Sequence, residues 1–196
     1  MTHLAPSLVL VTGPPGAGKT TLAPRLADHL GAVCISRDAI HHMVFDAWEP
    51  ANPLLSGAST GDARMNEGKL NWDIFLWALA QISPRAPVVG ETPLNHAINR
   101  TRLLALRDQL PVPVVEVFLS GDPVRLMQRV VRRAEMPDAH PIKAHFTVNG
   151  ARSLLAAPYA PLLEPEHVVR VDTTDLDAVD VAAVSTEVGA RLGAEL

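Results

Sequence analysis

Short apolar runs alternate along the chain with stretches whose apolar positions recur every three or four residues. Leu8 to Val11, Ala32 to Ile35, Pro87 to Glu91, Val114 to Leu119 and Val168 to Val171 are such runs, of strand length. Near-continuous apolar character of this kind predicts strands buried on both faces of a parallel sheet. Lys19 to Leu30 puts Leu22, Leu26 and Leu30 on one helical face and is closed by Gly31, with Pro24 predicting a local kink rather than a break. Asp38 to Phe45 predicts a short helix. Asp62 to Ile82 predicts a long one with Trp72, Phe75, Leu76, Leu79 and Ile82 on its buried stripe and Ile74 and Trp77 off it, so Trp72 is expected in the core. Asn95 is the expected cap of a helix to Leu110, and Ser120-Gly121-Asp122-Pro123 opens another. Ile142 to Ala157 and Leu176 to Leu192 complete the helical set, while Trp48 to Gly61, rich in Pro, Gly, Ser and Asn, is expected to be a loop or lid. Strand and helix alternate throughout, so the expected class is α/β, a three-layer sandwich on a parallel sheet in a single domain spanning residues 1–196.

The chemistry concentrates directly after the first strand, in Gly13-Pro14-Pro15-Gly16-Ala17-Gly18-Lys19-Thr20. Glycines at this spacing let the backbone fold into a concave nest of N–H groups, and the following helix adds its positive end. A strand before the loop and a helix after it is the context that the GxxxxGK[ST] phosphate-binding loop requires. Gly13 to Thr21 is therefore the expected nucleotide-contacting stretch. Lys19 reaches the β- and γ-phosphates, and the Thr20 hydroxyl is placed for a magnesium ion. In open α/β sheets ligands bind beyond the carboxyl ends of the strands. Asp38, beyond the second strand, thus faces the γ-phosphate side at hydroxyl-bonding reach, its alternative role being to cap the next helix. The third strand ends in another acid, Glu91. Arg125, Arg129 and Arg133 recur at every fourth position with Arg132 beside them. Like charges so spaced cost a helix about 0.2–0.5 kcal/mol per pair, which an anion against that face relieves; a solvated charged face is the alternative. The loop from Met136 to Pro141 suits closure over phosphates.

Composition narrows the partners. With 47% hydrophobic and 19% charged residues in 196, the chain is ordinary globular material. Acids outnumber Lys and Arg 21 to 17, and no long basic run is present, so an extended nucleic-acid partner is disfavoured while a local basic pocket is not. No apolar run is long enough to span a bilayer, no signal core follows the N-terminus, and no membrane partner is expected. Cys34 is the single cysteine, expected as a buried strand thiol in a reducing cytoplasm. His41, His42, His96, His140 and His145 lack zinc-ligand spacing.

The phosphate loop, the ISRDAI segment at Ile35 to Ile40, the acid ending the third strand and QRVVRR at Gln128 to Arg133 together resemble the P-loop kinase group. The similarity is to the kinase domain of phage-type polynucleotide kinases, the zeta toxins and chloramphenicol phosphotransferase, a group also placed among AAA-type ATPases. It extends over nearly the whole chain. The resemblance implies a five-stranded parallel sheet of P-loop kinase topology with a lid over about 125–145, and transfer of the γ-phosphoryl of ATP or GTP, with Mg2+, to a hydroxyl. Asp38 then corresponds to the carboxylate that takes the acceptor's proton, and Arg129 and Arg133 to lid arginines that stabilise the transferring group. Glu91 stands where polynucleotide kinases have aspartate, in a role towards the acceptor or the metal. Asp172, Thr173 and Thr174 resemble the loop near the base, with Thr173 the cofactor-binding member. His41 replaces the arginine with which polynucleotide kinases grip the acceptor's phosphate. A small hydroxyl-bearing acceptor is therefore expected. A 5′-hydroxyl polynucleotide kinase and a nucleotide-dependent regulatory or RNA-associated ATPase are the alternatives.

Overall fold

The computed structural model describes residues 4–51, 61–94, 97–136 and 159–193, without the side chains at 47–51, 61–68 and 97. Of the loop expected from Trp48 to Gly61, residues 48–51 and 61 are helical instead and 52–60 lie outside the described residues, as do the Asn95 cap and the loop and helix expected over 137–157. Five strands form one sheet: β1 (Ser7–Thr12), β2 (Val33–Ser36), β3 (Pro87–Glu91), β4 (Val114–Ser120) and β5 (Val168–Asp172). All pairs are parallel, and the order is β2-β3-β1-β4-β5. The α-helices are α1 (Lys19–Leu30), α2 (Arg37–Ala51), α3 (Gly61–Ile82), α4 (Ala97–Gln109), α5 (Pro123–Ala134) and α6 (Val181–Gly193), with a 3-10 turn at Pro165–His167. Among the described residues no helix is long and apolar enough to cross a membrane.

The strand period of two decides which helices cover which face. Val9 and Val11 of β1 point to one side, where Leu22 and Leu26 of α1 and Val188 and Leu192 of α6 close the core. Leu8 and Leu10 point to the other, against Trp72, Phe75 and Leu79 of α3 and Leu103 of α4. Burying each of these large side chains is worth about 1.5–3 kcal/mol, so β1 is fixed from both sides and the loop at its carboxyl end starts from a rigid base. Trp72 is in the core as the periodicity predicts, edge-on to Phe75; Trp77 is 65% exposed.

Three expectations need correction. β2 is not a buried strand: it is the sheet edge, paired only with β3, and Val33 and Cys34 are exposed. Partial desolvation, then the charges of Glu91 and Asp28, push the Cys34 thiol above its ordinary pKa, away from thiolate chemistry. α2 runs on to Ala51, well past Phe45. α6 starts at Val181 rather than Leu176, because the Asp180 carboxylate accepts from the amides of Ala182 and Ala183, both at 3.0 Å, and caps the helix there.

The apolar reading of β4 also hides a fully buried carboxylate. Glu116 accepts from the Thr12 hydroxyl at the end of β1 and from the amides of Leu162 and Leu163 at 2.6 and 2.9 Å. Arg100 of α4 holds the same connection through the carbonyls of Ala160 and Pro161, at 2.8 and 2.6 Å. These bonds tie the segment leading into β5 to the strand that carries the glycine loop. Burial pushes the Glu116 carboxyl above its ordinary value, against the opposing pull of those donors and of Arg100. The folded state therefore binds this proton more tightly than the unfolded chain. The stability it contributes is complete below the unfolded value of 4.5 and is lost as pH rises through the folded value. Glu116→Gln keeps an acceptor for the amides and removes the titration. Melting temperatures measured from pH 4 to 8 should show the wild type losing ground to this variant as pH rises; a difference independent of pH would remove the burial argument.

Candidate active site

β1 ends at Thr12 and the chain turns at once into the glycine loop. Gly18 caps α1 in a left-handed conformation, φ 82°, and α1 starts with no side-chain cap and no acid in its first turn, leaving its positive end for an anion. Gly16 has φ 77°, and a Cβ there would stand 2.3 Å from the Leu126 carbonyl oxygen of α5. A Cβ on Gly18 would come within 2.6 Å of Leu176. The positive φ asks for glycine at both positions, and at Gly16 the Leu126 backbone leaves no room for a side chain as well, so the loop sits close against α5 and the connection from β5 to α6. The Lys19 amine, 7% exposed, donates to the carbonyls of Gly13 and Pro14 at 3.0 and 2.8 Å. Gly13, Pro14 and Ala17 form the buried underside of the loop, while Pro15, Gly16, Gly18, Lys19, Thr20 and Thr21 face outward into a cleft of about 720 Å³.

The residues singled out from sequence meet in that cleft. Asp38, Glu91, Arg129 and Arg133 all line it together with Lys19 and Thr20. Asp38 stands in the first turn of α2, its carboxylate 26% exposed and 3.2 Å from an Arg37 nitrogen. Ser36, just before the helix, caps α2 by accepting from the Ala39 amide at 3.3 Å, and its hydroxyl donates to Glu91 at 2.6 Å. Since Ser36 and Glu91 are also register partners, this bond fixes the buried Glu91 carboxylate at the floor of the cleft.

The arginines of α5 divide. Arg129 donates to the carbonyls of Gly16 at 3.3 Å and Thr174 at 2.9 Å, so it braces the glycine loop against the connection after β5. Arg133, one turn on and exposed, reaches the cleft from the far end of α5. Arg125 and Arg132 line a second cleft of about 500 Å³ with Gln128, Arg129, Thr174 and Asp175.

Thr173, the expected cofactor-binding member of its loop, packs against the end of β4. It is fully buried, and both its amide and its hydroxyl donate to the Ser120 carbonyl, at 2.7 and 2.9 Å, pinning β5 to β4. Asp172 receives the Thr174 hydroxyl and amide, which hold its carboxyl below the ordinary range, and Asp175 accepts from the Asp177 amide at 3.2 Å. These local turns carry the chain past Thr173, and Asp175, Leu176 and Asp177 are the residues that reach the first cleft. Leu176 was read as the start of a helix and gave no sign of this place. Arg37, quoted in the motif but assigned no part, also lines the cleft.

A glycine loop at the end of the central strand, in a parallel sheet of order β2-β3-β1-β4-β5, defines a P-loop kinase-like protein. A family profile described as "AAA domain" matches residues 8–149. The chain belongs to that family. No curated protein matches it. Among solved structures, a candidate kinase from Chloroflexus aurantiacus superposes with a TM-score of 0.72 at 24% identity, covering 97% of this chain and 98% of its own. A gluconokinase from Sinorhizobium meliloti gives 0.58 at 23%, covering 97% and 93%. Kti12 of Chaetomium thermophilum, solved with ADP-AlF3, gives 0.62 at 19%, covering 94% and 98%. Likenesses at these identities establish the shared fold.

Proposed function

We propose that the protein is a phosphotransferase that moves the γ-phosphoryl of ATP or GTP to a hydroxyl of a small molecule, with Asp38 as general base. The observation that carries this reading is the convergence, in one cleft, of an anion-ready loop, a carboxylate at the head of α2 and an arginine at the far end of α5. Phosphoryl transfer needs positioning and charge stabilisation more than covalent help from the protein, and these are what the cleft supplies. Lys19 and the amides at the start of α1 hold the phosphates. Asp38 takes the proton of the attacking hydroxyl, and Arg133 meets charge that grows as the phosphoryl moves. The β5–α6 connection at Asp175 to Asp177, rather than Thr173, holds the base side.

Magnesium fits the donor set. The outward Thr20 hydroxyl would hold it, with Glu91 behind, and the ion would neutralise phosphate charge; such sites use few protein ligands beside the phosphates themselves. Among the described residues no cluster of three or more His, Cys, Asp or Glu offers a separate metal site.

The two arginines should behave differently. Arg133→Ala is expected to lower kcat by about 10²–10³, below the 10³–10⁵ of a fully engaged arginine finger, with little change in KM for the nucleotide. Arg129→Ala loosens the glycine loop itself, so it should raise that KM as well as slow turnover. Initial rates over a nucleotide titration separate the two; identical profiles would remove the division of labour. The reading as a whole is tested by ADP release measured against a panel of sugars, polyols, nucleosides and aminoglycoside or phenicol antibiotics. At least one alcohol should accelerate it. Slow release that no hydroxyl compound changes would favour a regulatory ATPase.

A further inference from the structure

Glu116 divides its two oxygens between two parts of the fold. Oε2 accepts from the amides of Leu162 and Leu163, at 2.6 and 2.9 Å, while Oε1 accepts from the Thr12 hydroxyl. Glu116 and Thr12 are both fully buried. A side chain that served only the segment leading into β5 would need a single acceptor, because one carbonyl oxygen has two lone pairs and a glutamine would supply it. A second buried carboxylate oxygen is costly unless bonded, and the donor it meets is the last residue of β1.

Thr12 is where the sheet hands the chain to the phosphate loop. By the strand alternation its side chain lies on the face of Leu8 and Leu10, while α1 covers the other face, and it lines neither cleft. The next residue, Gly13, lies close against the Leu119 backbone of β4, and its carbonyl accepts from the Lys19 amine at 3.0 Å. Two consecutive residues at the root of the loop are thus fastened to β4, one by a side-chain bond and one by backbone contact. A valine at position 12 would fill the same space. What the hydroxyl adds is a directional bond that fixes how the end of β1 sits on β4.

Resting on the assignment of the nucleotide's phosphates to the glycine loop, we infer that Glu116 and Thr12 are positioning residues of the nucleotide site. Neither side chain touches the ligand. The buried bond between them sets the place from which the loop presents Lys19 and the first amides of α1 to the phosphates, and contacts of that kind lose strength with small displacements.

The test compares the wild type with Thr12→Val, Thr12→Ser, Glu116→Gln and the double variant Thr12→Val/Glu116→Gln. Affinity for magnesium-ADP is read by titration calorimetry well below every melting temperature, where each variant is fully folded and lost stability alone does not weaken binding. Thr12→Val should bind about threefold to thirtyfold more weakly, within the worth of one hydrogen bond. Thr12→Ser, which restores the hydroxyl, should stay near the wild type. Glu116→Gln keeps an acceptor for the two amides and replaces the one that faces Thr12, so it should weaken binding as well. The double variant should be no weaker than the weaker single variant, since both substitutions break the same bond. Wild-type affinity in Thr12→Val, or single losses that add in the double variant, would make Glu116 a brace of the entry to β5 alone and overturn the inference. A wild type with no affinity for magnesium-ADP would overturn the phosphate assignment and the inference with it. ADP binding needs neither an acceptor nor Asp38, so a failed acceptor panel would sink the phosphotransferase reading without altering these affinities.

Discussion

Lys19→Ala is expected to lower phosphoryl transfer by about 10³-fold or more while leaving the protein folded. In the structure the amine rests on the carbonyls of Gly13 and Pro14, inside the curve of the loop. Removing it takes away a positive charge needed both to bind the β- and γ-phosphates and to stabilise the charge shifting between them. Lys19 itself lines the cleft, so the space its side chain leaves opens to water that can bond the two carbonyls, and the cost to stability is modest. Thermal melts without nucleotide should match the wild type within a few degrees, and stabilisation by magnesium-ATP should be largely lost. Undiminished turnover in this variant would take the phosphate site away from the glycine loop.

Asp38→Asn should lower kcat by about 10²–10⁴, the usual worth of a positioned general base, with nucleotide affinity nearly unchanged. The geometry favours this division. Ser36 caps α2, so the substitution should leave the helix start intact. Asparagine is nearly isosteric and can still accept from Arg37, so the loss should lie in proton transfer and not in architecture. Weakened ATP binding with kcat intact would make Asp38 a nucleotide ligand.

The parts of the site that a short continuous motif encodes were legible in the chain. The loop from Gly13 to Thr20 announces itself because each glycine answers a local backbone demand, and Asp38 and Glu91 follow from the rule that parallel strands present ligands at their carboxyl ends. What depends on neighbours distant in sequence was not legible. An apolar run gives no sign of whether its strand lies at the edge or the centre, so β2 and Cys34 were expected inside and are found outside. Glu116 is a single acid in an apolar strand, and its burial depends on the amides of Leu162 and Leu163, which only the folded chain brings to it. The hydrogen bonds that turn Thr173 towards Ser120, and the arrival of Asp175, Leu176 and Asp177 at the cleft, likewise depend on pairing distant in sequence. Arg129 and Arg133 share one helical spacing, which gave no sign that Arg129 bonds the carbonyls of Gly16 and Thr174.

The most direct measurement is the fate of the γ-phosphoryl in a single turnover. Enzyme in excess over γ-labelled magnesium-ATP is mixed with the best alcohol from the acceptor panel, and the products are separated. The expected result is label on the alcohol in the wild type, formed faster than inorganic phosphate, with Asp38→Asn binding the same nucleotide and transferring it about 10²–10⁴ times more slowly. Label released only to water, at a rate that neither the alcohol nor Asp38→Asn alters, would contradict the assignment of this cleft to phosphoryl transfer.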